Sequence, residues 1–281
     1  MTLTKIKSIL SEYHLSPLES LSQNFFIDKS LLQKMVRQLN IPKKSLVIEI
    51  GCGLGSLTEI LVENNFNVVG FEIDRTLANI LPDILGNPNN LTLYHQDILE
   101  SEEYFQNIKS DYYVIANIPY NITGKIIRFL LSFDKKAKNI VLLVQKEVAF
   151  NLTNNDDKYS FQKLSISLYA DVSKILNVPK ECFYPKPKVD SAVIQITPNN
   201  KYDFIEDKEA LLSFIKPLFQ RKRKQLRSSI KSIYKIETSI IENMFRDLNV
   251  DSDIRPEDMS IENWYEVYNK SKEFIILASE I

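Results

Sequence analysis

The run Ser45-Leu46-Val47-Ile48-Glu49-Ile50 passes without a break into Gly51-Cys52-Gly53-Leu54-Gly55. A near-continuous apolar run of this length suits a strand buried on both faces, and such strands belong to parallel sheets covered by helices. The glycines let the backbone turn sharply and approach a ligand closely. A helix to about Glu63 is expected next. A strand, a glycine turn and a helix in this order commit the chain to an α/β layer architecture. The pattern then repeats. Val68–Asp74, Leu91–Asp97, Tyr112–Ala116 and Ile140–Val144 read as further strands, and Val172–Val178 and Ala192–Ile196 as the last two.

The residues just beyond the strands carry the chemistry, because ligands of open α/β sheets bind at the carboxyl ends of the strands. A lone glycine run is weak evidence. The dinucleotide-binding fingerprint is G-x-G-x-x-G, whereas here the third glycine is Gly55 and Ser56 holds the position that fingerprint requires. Glu49, just inside the strand, is more typical of a methyl-donor site. No G-K-[ST] follows, which excludes a nucleoside-triphosphate P-loop. Glu72 ends the second strand, where a carboxylate accepts hydrogen bonds from both hydroxyls of a ribose; Asp74 is expected to cap the helix from Arg75. Asp97 ends the third and can accept from an adenine amino group, with Ile98 packing on the ring. Any one such acid is more often a solvated cap. Four successive strands ending in a glycine loop, an acid, an acid and Asn117-Ile118-Pro119-Tyr120-Asn121 form a less accidental set.

That last motif suits one task. Asn117 offers an acceptor oxygen. Pro119 biases Ile118 toward extended backbone, presenting a second acceptor, and Tyr120 offers a flat face. Two acceptors and a ring can hold the exocyclic amine of a base with its lone pair directed away from both. The plain alternative is a proline turn after a buried strand. Upstream, Gln23, Asn24, Phe25 and Phe26 precede Asp28, which is placed to cap a helix carrying Leu31, Leu32, Met35, Val36 and Leu39. They are either a staple and turn or a lip over a ligand, and local pattern does not choose. Phe183 stands in a stretch held extended by Pro179, Pro185 and Pro187, which brings it to the far side of the base held by Tyr120 or merely crosses between strands.

The whole-chain balance, 35 basic against 36 acidic residues in 281, advertises no nucleic acid. The two cysteines give neither a disulfide framework nor metal-ligand spacing, so a reducing compartment is expected. No apolar run has transmembrane length, and no signal layout opens the chain; a cytoplasmic protein with no membrane or metal partner follows. Thr197–Asp203 is polar and turn-rich, dividing the chain into 1–198 and a helical 199–281. Within the latter, Lys216–Lys235 holds eight basic residues and no acid. Arg223, Arg227 and Lys231 recur at helical spacing. Charge runs are usually solvated faces, but an acid-free stripe in a charge-balanced chain favours phosphate binding.

Together these motifs resemble the small-subunit rRNA adenine N6,N6-dimethyltransferases. The likeness rests on Gln23-Asn24-Phe25, Glu49-Ile50-Gly51-Cys52-Gly53-Leu54-Gly55, Glu72-Ile73-Asp74, Asn117-Ile118-Pro119-Tyr120-Asn121, Phe183-Tyr184-Pro185-Lys186-Pro187-Lys188-Val189 and Phe219-Gln220-Arg221-Lys222-Arg223-Lys224-Gln225-Leu226-Arg227, in order over roughly residues 20 to 265. That family usually has glycine in place of Ser22, often proline in place of Cys52, and commonly an aliphatic residue in place of Phe26. The resemblance implies a Rossmann-like class I methyltransferase sheet with a small C-terminal helical domain, and S-adenosylmethionine as donor. Its contacts are expected from Gln23, Asn24, Phe26, Glu49, Gly51, Gly53, Glu72, Ile73, Asp97, Ile98 and Asn117. The implied substrate is two adjacent adenosines near the 3′ end of small-subunit rRNA, in an immature subunit, acted on by a monomer during ribosome biogenesis. Asn117, Ile118, Pro119, Tyr120 and Phe183 would form the catalytic set, and Arg221, Lys222, Arg223, Lys224, Arg227 and Lys231 the RNA contacts. A sister family that methylates large-subunit rRNA shares the Asn-Ile-Pro-Tyr motif; the basic segment after Phe219 favours the small-subunit branch. A non-catalytic RNA-binding factor and a small-molecule methyltransferase are the competing readings. The complete acceptor set opposes the first, the basic segment the second.

Overall fold

The computed structural model describes residues 1–154, 158–221 and 224–279, the last five of these as backbone. The chain runs through α1 (Leu3–Glu12), β1 (Phe25–Phe26), α2 (Lys29–Arg37), β2 (Leu46–Ile50), α3 (Ser56–Glu63), β3 (Asn67–Glu72), α4 (Arg75–Ile84), β4 (Leu91–His95), α5 (Glu102–Gln106), β5 (Tyr112–Asn117), α6 (Thr123–Ser132), β6 (Ile140–Gln145), α7 (Lys146–Thr153), α8 (Phe161–Ser167), β7 (Ala170–Val178), β8 (Phe183–Tyr184) and β9 (Ser191–Pro198). Four more helices follow: α9 (Lys208–Phe219), α10 (Leu226–Tyr234), α11 (Thr238–Asp247) and α12 (Ile261–Ser279).

Seven strands form one sheet in the order β4-β3-β2-β5-β6-β9-β7. The first five in space are parallel, and β9 enters antiparallel between β6 and β7. Because β2, β3, β4 and β5 are parallel neighbours, all four motif-bearing ends emerge on one edge. The order reverses between β2 and β5, which opens a crevice there. The apolar composition of β2 and β6 follows from their place: both are buried almost throughout. Asp28 caps α2 by accepting from Ser30 N and Leu31 N, and Asp74 caps α4 by accepting from Thr76 N and Leu77 N. A two-stranded ladder outside the sheet pairs Phe25 with Tyr184 and Phe26 with Phe183.

The chain divides into two compact units, and the division differs from 1–198 and 199–281. One unit is Met1–Thr153 with Ala170–Pro198; the other is Asn154–Tyr169 with Asn199–Ile281. Segment 154–169 joins the helical unit because Leu164 and Leu168, on and just after α8, bury against Leu211, Leu212 and Ile215 of α9. Tyr159 N also donates to Glu257 O at 2.7 Å. The polar stretch at 197–203 marks one of three crossings, and the polar run 151–158 adjoins a second; the third, between Tyr169 and Ala170, falls where no composition change announces it. The helical unit is built around Trp264, which is fully buried beside Phe214 and Phe219.

Candidate active site

Two adjoining clefts occupy the carboxyl edge of β2, β3, β4 and β5. The first meets Gln23, Asn24, Phe26, Glu49, Gly53, Glu72, Asn117, Ile118, Pro119 and Tyr120; the second meets Ile50, Phe71, Ile73, Asp97, Ile98 and Ile122. Leu21, Gly51, Ile73 and Pro119 border both.

The glycine turn shapes the floor. Gly53 has φ +56°, and a Cβ there would press on the Phe25 ring at 3.3 Å; Gly55 has φ +86° and would meet Leu81 Cδ1 at 2.5 Å. Gly53 N, left bare by that turn, donates to Glu72 Oε2 at 2.7 Å, and Asp74 N donates to Oε1 at 2.9 Å. The carboxylate is thereby fixed, with lone pairs remaining on both oxygens. Burial pushes the Glu72 carboxyl above its ordinary range, while those two N–H groups pull it down. Glu49 is more extreme. It is 1 % exposed, and neither carboxyl oxygen has a hydrogen-bond partner among the described residues. Burial pushes its carboxyl up to about 8, with Thr58 pulling the other way and the charge of Glu72 adding to the rise. A buried acid without a donor is costly to ionise, so this wall fits a ligand that brings a cationic or donating group.

Asn117 lies at the end of β5, and its Nδ2 donates to Asn24 O at 3.2 Å. Oδ1 has no hydrogen-bond partner among the described residues, so it is available as an acceptor. Tyr120 is partly buried, and its hydroxyl lies 2.7 Å from the Ser191 hydroxyl. Burial raises the Tyr120 phenol, and Ser191 lowers it. Ser191 is fully buried at the start of β9 and does not stand out in the sequence pattern; the available signal is a hydroxyl at an inward position of an otherwise apolar strand.

Upstream of β1, Leu21 to Phe26 do line the first cleft, so they form a lip rather than a plain turn. Gln23 serves as a clasp: Nε2 donates to Asp74 Oδ2 at 2.7 Å and Oε1 accepts from Leu18 N at 2.8 Å. Each bond uses one of the two sites at its end of the amide, leaving one N–H and one lone pair on a side chain that lines the cleft. Asn24 Nδ2 donates to Ser22 O at 2.9 Å. Ser22 itself is left-handed, φ +53° and ψ +35°, which accounts for glycine being the usual residue there. In the second cleft Asp97 Oδ1 accepts from Leu99 N at 2.9 Å, leaving Oδ2 unpartnered among the described residues. Ile73 is half exposed and Ile98 buried, giving a slot with apolar sides.

Phe183 departs from expectation. It is 3 % exposed, does not line either cleft, and meets Phe26 edge-on at 4.8 Å. The ladder between β1 and β8 turns it into the core behind Phe26, so it does not face Tyr120 here. The basic segment also differs from a uniform stripe. Lys222 and Arg223 lie outside the described residues. α10 begins at Leu226 and carries Arg227 and Lys231. Arg227 is paired with Glu242 at 3.1 Å and Asp253 at 3.5 Å, and Arg221 donates to Ser232 Oγ at 2.6 Å. Lys224 and Lys231 are exposed and carry no ion pair among the described residues. Among those residues no group of three or more His, Cys, Asp or Glu is arranged to hold a metal ion, and no helix is long and apolar enough to cross a membrane.

A model of the ribosomal RNA adenine dimethylase family matches residues 18–273. A ribosomal RNA small subunit methyltransferase A of Mycoplasma mobile is 38 % identical over 251 residues, covering 89 % of this chain and 95 % of that protein. One of Oceanobacillus iheyensis is 33 % identical over 279 residues, 95 % of each. Among solved structures, a dimethyladenosine transferase from Plasmodium falciparum shares the fold with a TM-score of 0.75 at 24 % identity, over 89 % of this chain and 98 % of that one. The 23S rRNA methyltransferase ErmE shares it with a TM-score of 0.65 at 20 % identity, over 88 % and 99 %.

Proposed function

This chain belongs to the ribosomal RNA adenine dimethylase family and is an rRNA adenine dimethyltransferase, and we propose that it dimethylates the exocyclic N6 of two adjacent adenosines near the 3′ end of small-subunit rRNA, in an immature subunit. S-adenosylmethionine is the donor in this reading and supplies an electrophilic methyl group when bound. The residues present fit it. The two remaining acceptor sites of Glu72 suit ribose hydroxyls. The apolar slot between Ile73 and Ile98, with the unpartnered Asp97 Oδ2 at its edge, suits adenine and its amino group. The orphaned carboxyl of Glu49 suits the ammonium of the amino-acid portion, which would favour its ionised form.

The observation that carries the catalytic reading is the Asn117 amide, turned by the Asn24 carbonyl so that Oδ1 accepts. The adenine amine is a poor nucleophile because its lone pair is delocalised into the ring. Asn117 Oδ1 and the Ile118 carbonyl accept its two hydrogens and draw it toward a tetrahedral geometry, aiming the lone pair at the methyl group. Tyr120, anchored by Ser191, stacks on the base once it has left its own stack, a contact on the order of 1–3 kcal/mol. Displacement of this kind is served by positioning and fixed dipoles. No strong base is required, since the alkylated amine sheds its proton readily. Arg221, Lys222, Arg223, Lys224, Arg227 and Lys231 contact RNA phosphates in this reading, the exposed Lys224 and Lys231 most directly. Incubation with labelled donor and immature small subunits, followed by mapping of the modified bases, tests it. Label confined to two adjacent adenines near the 3′ end is expected; label elsewhere, or none, rejects the assignment.

A further inference from the structure

A third concavity lies where β6 ends and β9 begins, and the reaction above makes no use of it. Its cavity volume is about 880 Å³, toward the upper end of the roughly 300–1,000 Å³ of small-molecule pockets. Lys146 and Phe150 of α7 form one side; Lys174 of β7, with Lys180, Lys188 and Val189 around β8, form the rest. Phe150 is 60 % exposed and Val189 is 45 % exposed, so large apolar groups stand uncovered among lysines. Asp190 is taken by Lys146 at 3.8 Å, and Glu181 by Lys186 at 2.6 Å. Lys174, Lys180 and Lys188 make no ion pair among the described residues, and Glu147 is the remaining carboxylate of the lining. Cations interleaved with an exposed ring are the composition of a single-strand nucleic-acid track, in which bases stack and phosphates meet lysines.

Its position gives the occupant. Asp190 borders the concavity, and the next residue, Ser191, holds the Tyr120 hydroxyl at 2.7 Å. Gln145, also on its border, sits opposite Ser191 in the β6–β9 register. The track therefore starts on the far side of the pair that anchors the base-stacking ring. We propose that this concavity carries the single-stranded RNA flanking the target adenosine, with a neighbouring base stacked on Phe150 and phosphates on Lys174, Lys180 and Lys188. The proposal rests on the rRNA adenine reading. An adenosine that leaves its stack keeps its neighbours tethered within one nucleotide, and they need a surface to lie on.

The test uses the full chain and an RNA oligonucleotide of the target segment with 2-aminopurine next to the target adenosine. Binding to the wild-type protein should quench the fluorescence. Phe150→Ala should abolish the quench and weaken binding about tenfold. Lys174→Gln with Lys188→Gln should lower the slope of log affinity against log salt by about 1.4, at about 0.7 per single-strand phosphate. The control is Lys43→Gln with Lys44→Gln, at exposed positions of the same unit. An unchanged quench in Phe150→Ala overturns the proposal, and so does a salt slope in the lysine variant equal to that of the control. Wild-type protein that methylates neither the oligonucleotide nor immature small subunits overturns the underlying reading itself. Wild-type protein that methylates, with variants indistinguishable from the control, overturns this inference alone.

Discussion

The sheet edge around Asn117 and the basic segment around α10 are both assigned to RNA chemistry, yet they are built in opposite ways. At the sheet edge the polar groups are tied before any ligand arrives. Asn117 is held by Asn24, Glu72 by two backbone N–H groups, Tyr120 by Ser191. Around α10 the side chains are exposed, and Arg227 directs its charge to Glu242 and Asp253. Bond-making needs acceptors fixed before charge develops, because reorganisation at that moment would add to the barrier. Phosphate attraction acts over a Debye length and tolerates loose side chains. In the proposed reading, the difference separates a site that selects by geometry from one that attracts by charge.

The sharpest way to break this comparison is Asn117→Ala. If the amide acts mainly in the transition state, turnover should fall about 10²–10³-fold while donor affinity, read by calorimetry, holds. A near-normal single-turnover rate would place the sheet edge in the same loose category as α10. The pre-tied site should also leave a mark on stability. The Glu49 carboxyl moves from an ordinary 4.5 to about 8 in the folded protein, so the folded state binds this proton more tightly. Its contribution is fully present below about pH 4.5 and is lost as pH rises through about 8. Thermal melting of the ligand-free protein should therefore fall by several degrees across that window. Glu49→Gln should flatten the fall, as should saturating donor, which favours the ionised form.

Which parts of this contrast the sequence reveals depends on range. The four strand ends are legible because each motif adjoins its own apolar run, and the caps Asp28 and Asp74 lie next to the helices they start. Features made by distant partners are hidden. Arg227 meets Glu242 and Asp253, 15 and 26 residues on, so a stripe with no acid in its own stretch is not free of acids in space. Phe183 is expected against the base because prolines hold its segment extended, but a two-residue ladder, too short to show any period, turns the ring inward. The excursion of 154–169 into the helical unit is equally silent, since Leu164 and Leu168 look alike whichever core they enter.

Smaller effects sharpen the charge side. Lys224→Gln with Lys231→Gln should weaken RNA binding several-fold and reduce its salt slope by about 1 for each phosphate left without its lysine, with donor affinity and melting unchanged. A drop in melting would mean that these lysines hold the helical unit together instead. The smallest effect belongs to the lip. Ser22 occupies left-handed backbone at φ +53°, a conformation that costs a non-glycine residue roughly 1–2 kcal/mol. Ser22→Gly should raise the melting temperature by about 2–4 °C, after the greater chain freedom of glycine is set against that gain. A fall would show that the serine hydroxyl contributes at the lip.

The placement of β9 between β6 and β7 bears on how the protein is born. β7 is synthesised before β9, yet among the described residues β9 is its one partner strand, so it emerges from the ribosome before the strand it pairs with. The edge of β6 stays open for the same interval, through residues 146–190. Only when 191–198 are made can both edges close at once, and Ser191, the anchor of Tyr120, arrives in that same stroke. A nascent chain halted before residue 191 would already hold Gly51, Glu72, Asp97 and Asn117 in sequence, but not the strand that closes the sheet or the hydroxyl that steadies the ring. In the proposed reading, competence for methyl transfer is thus set only after most of the residues assigned to it have already been made.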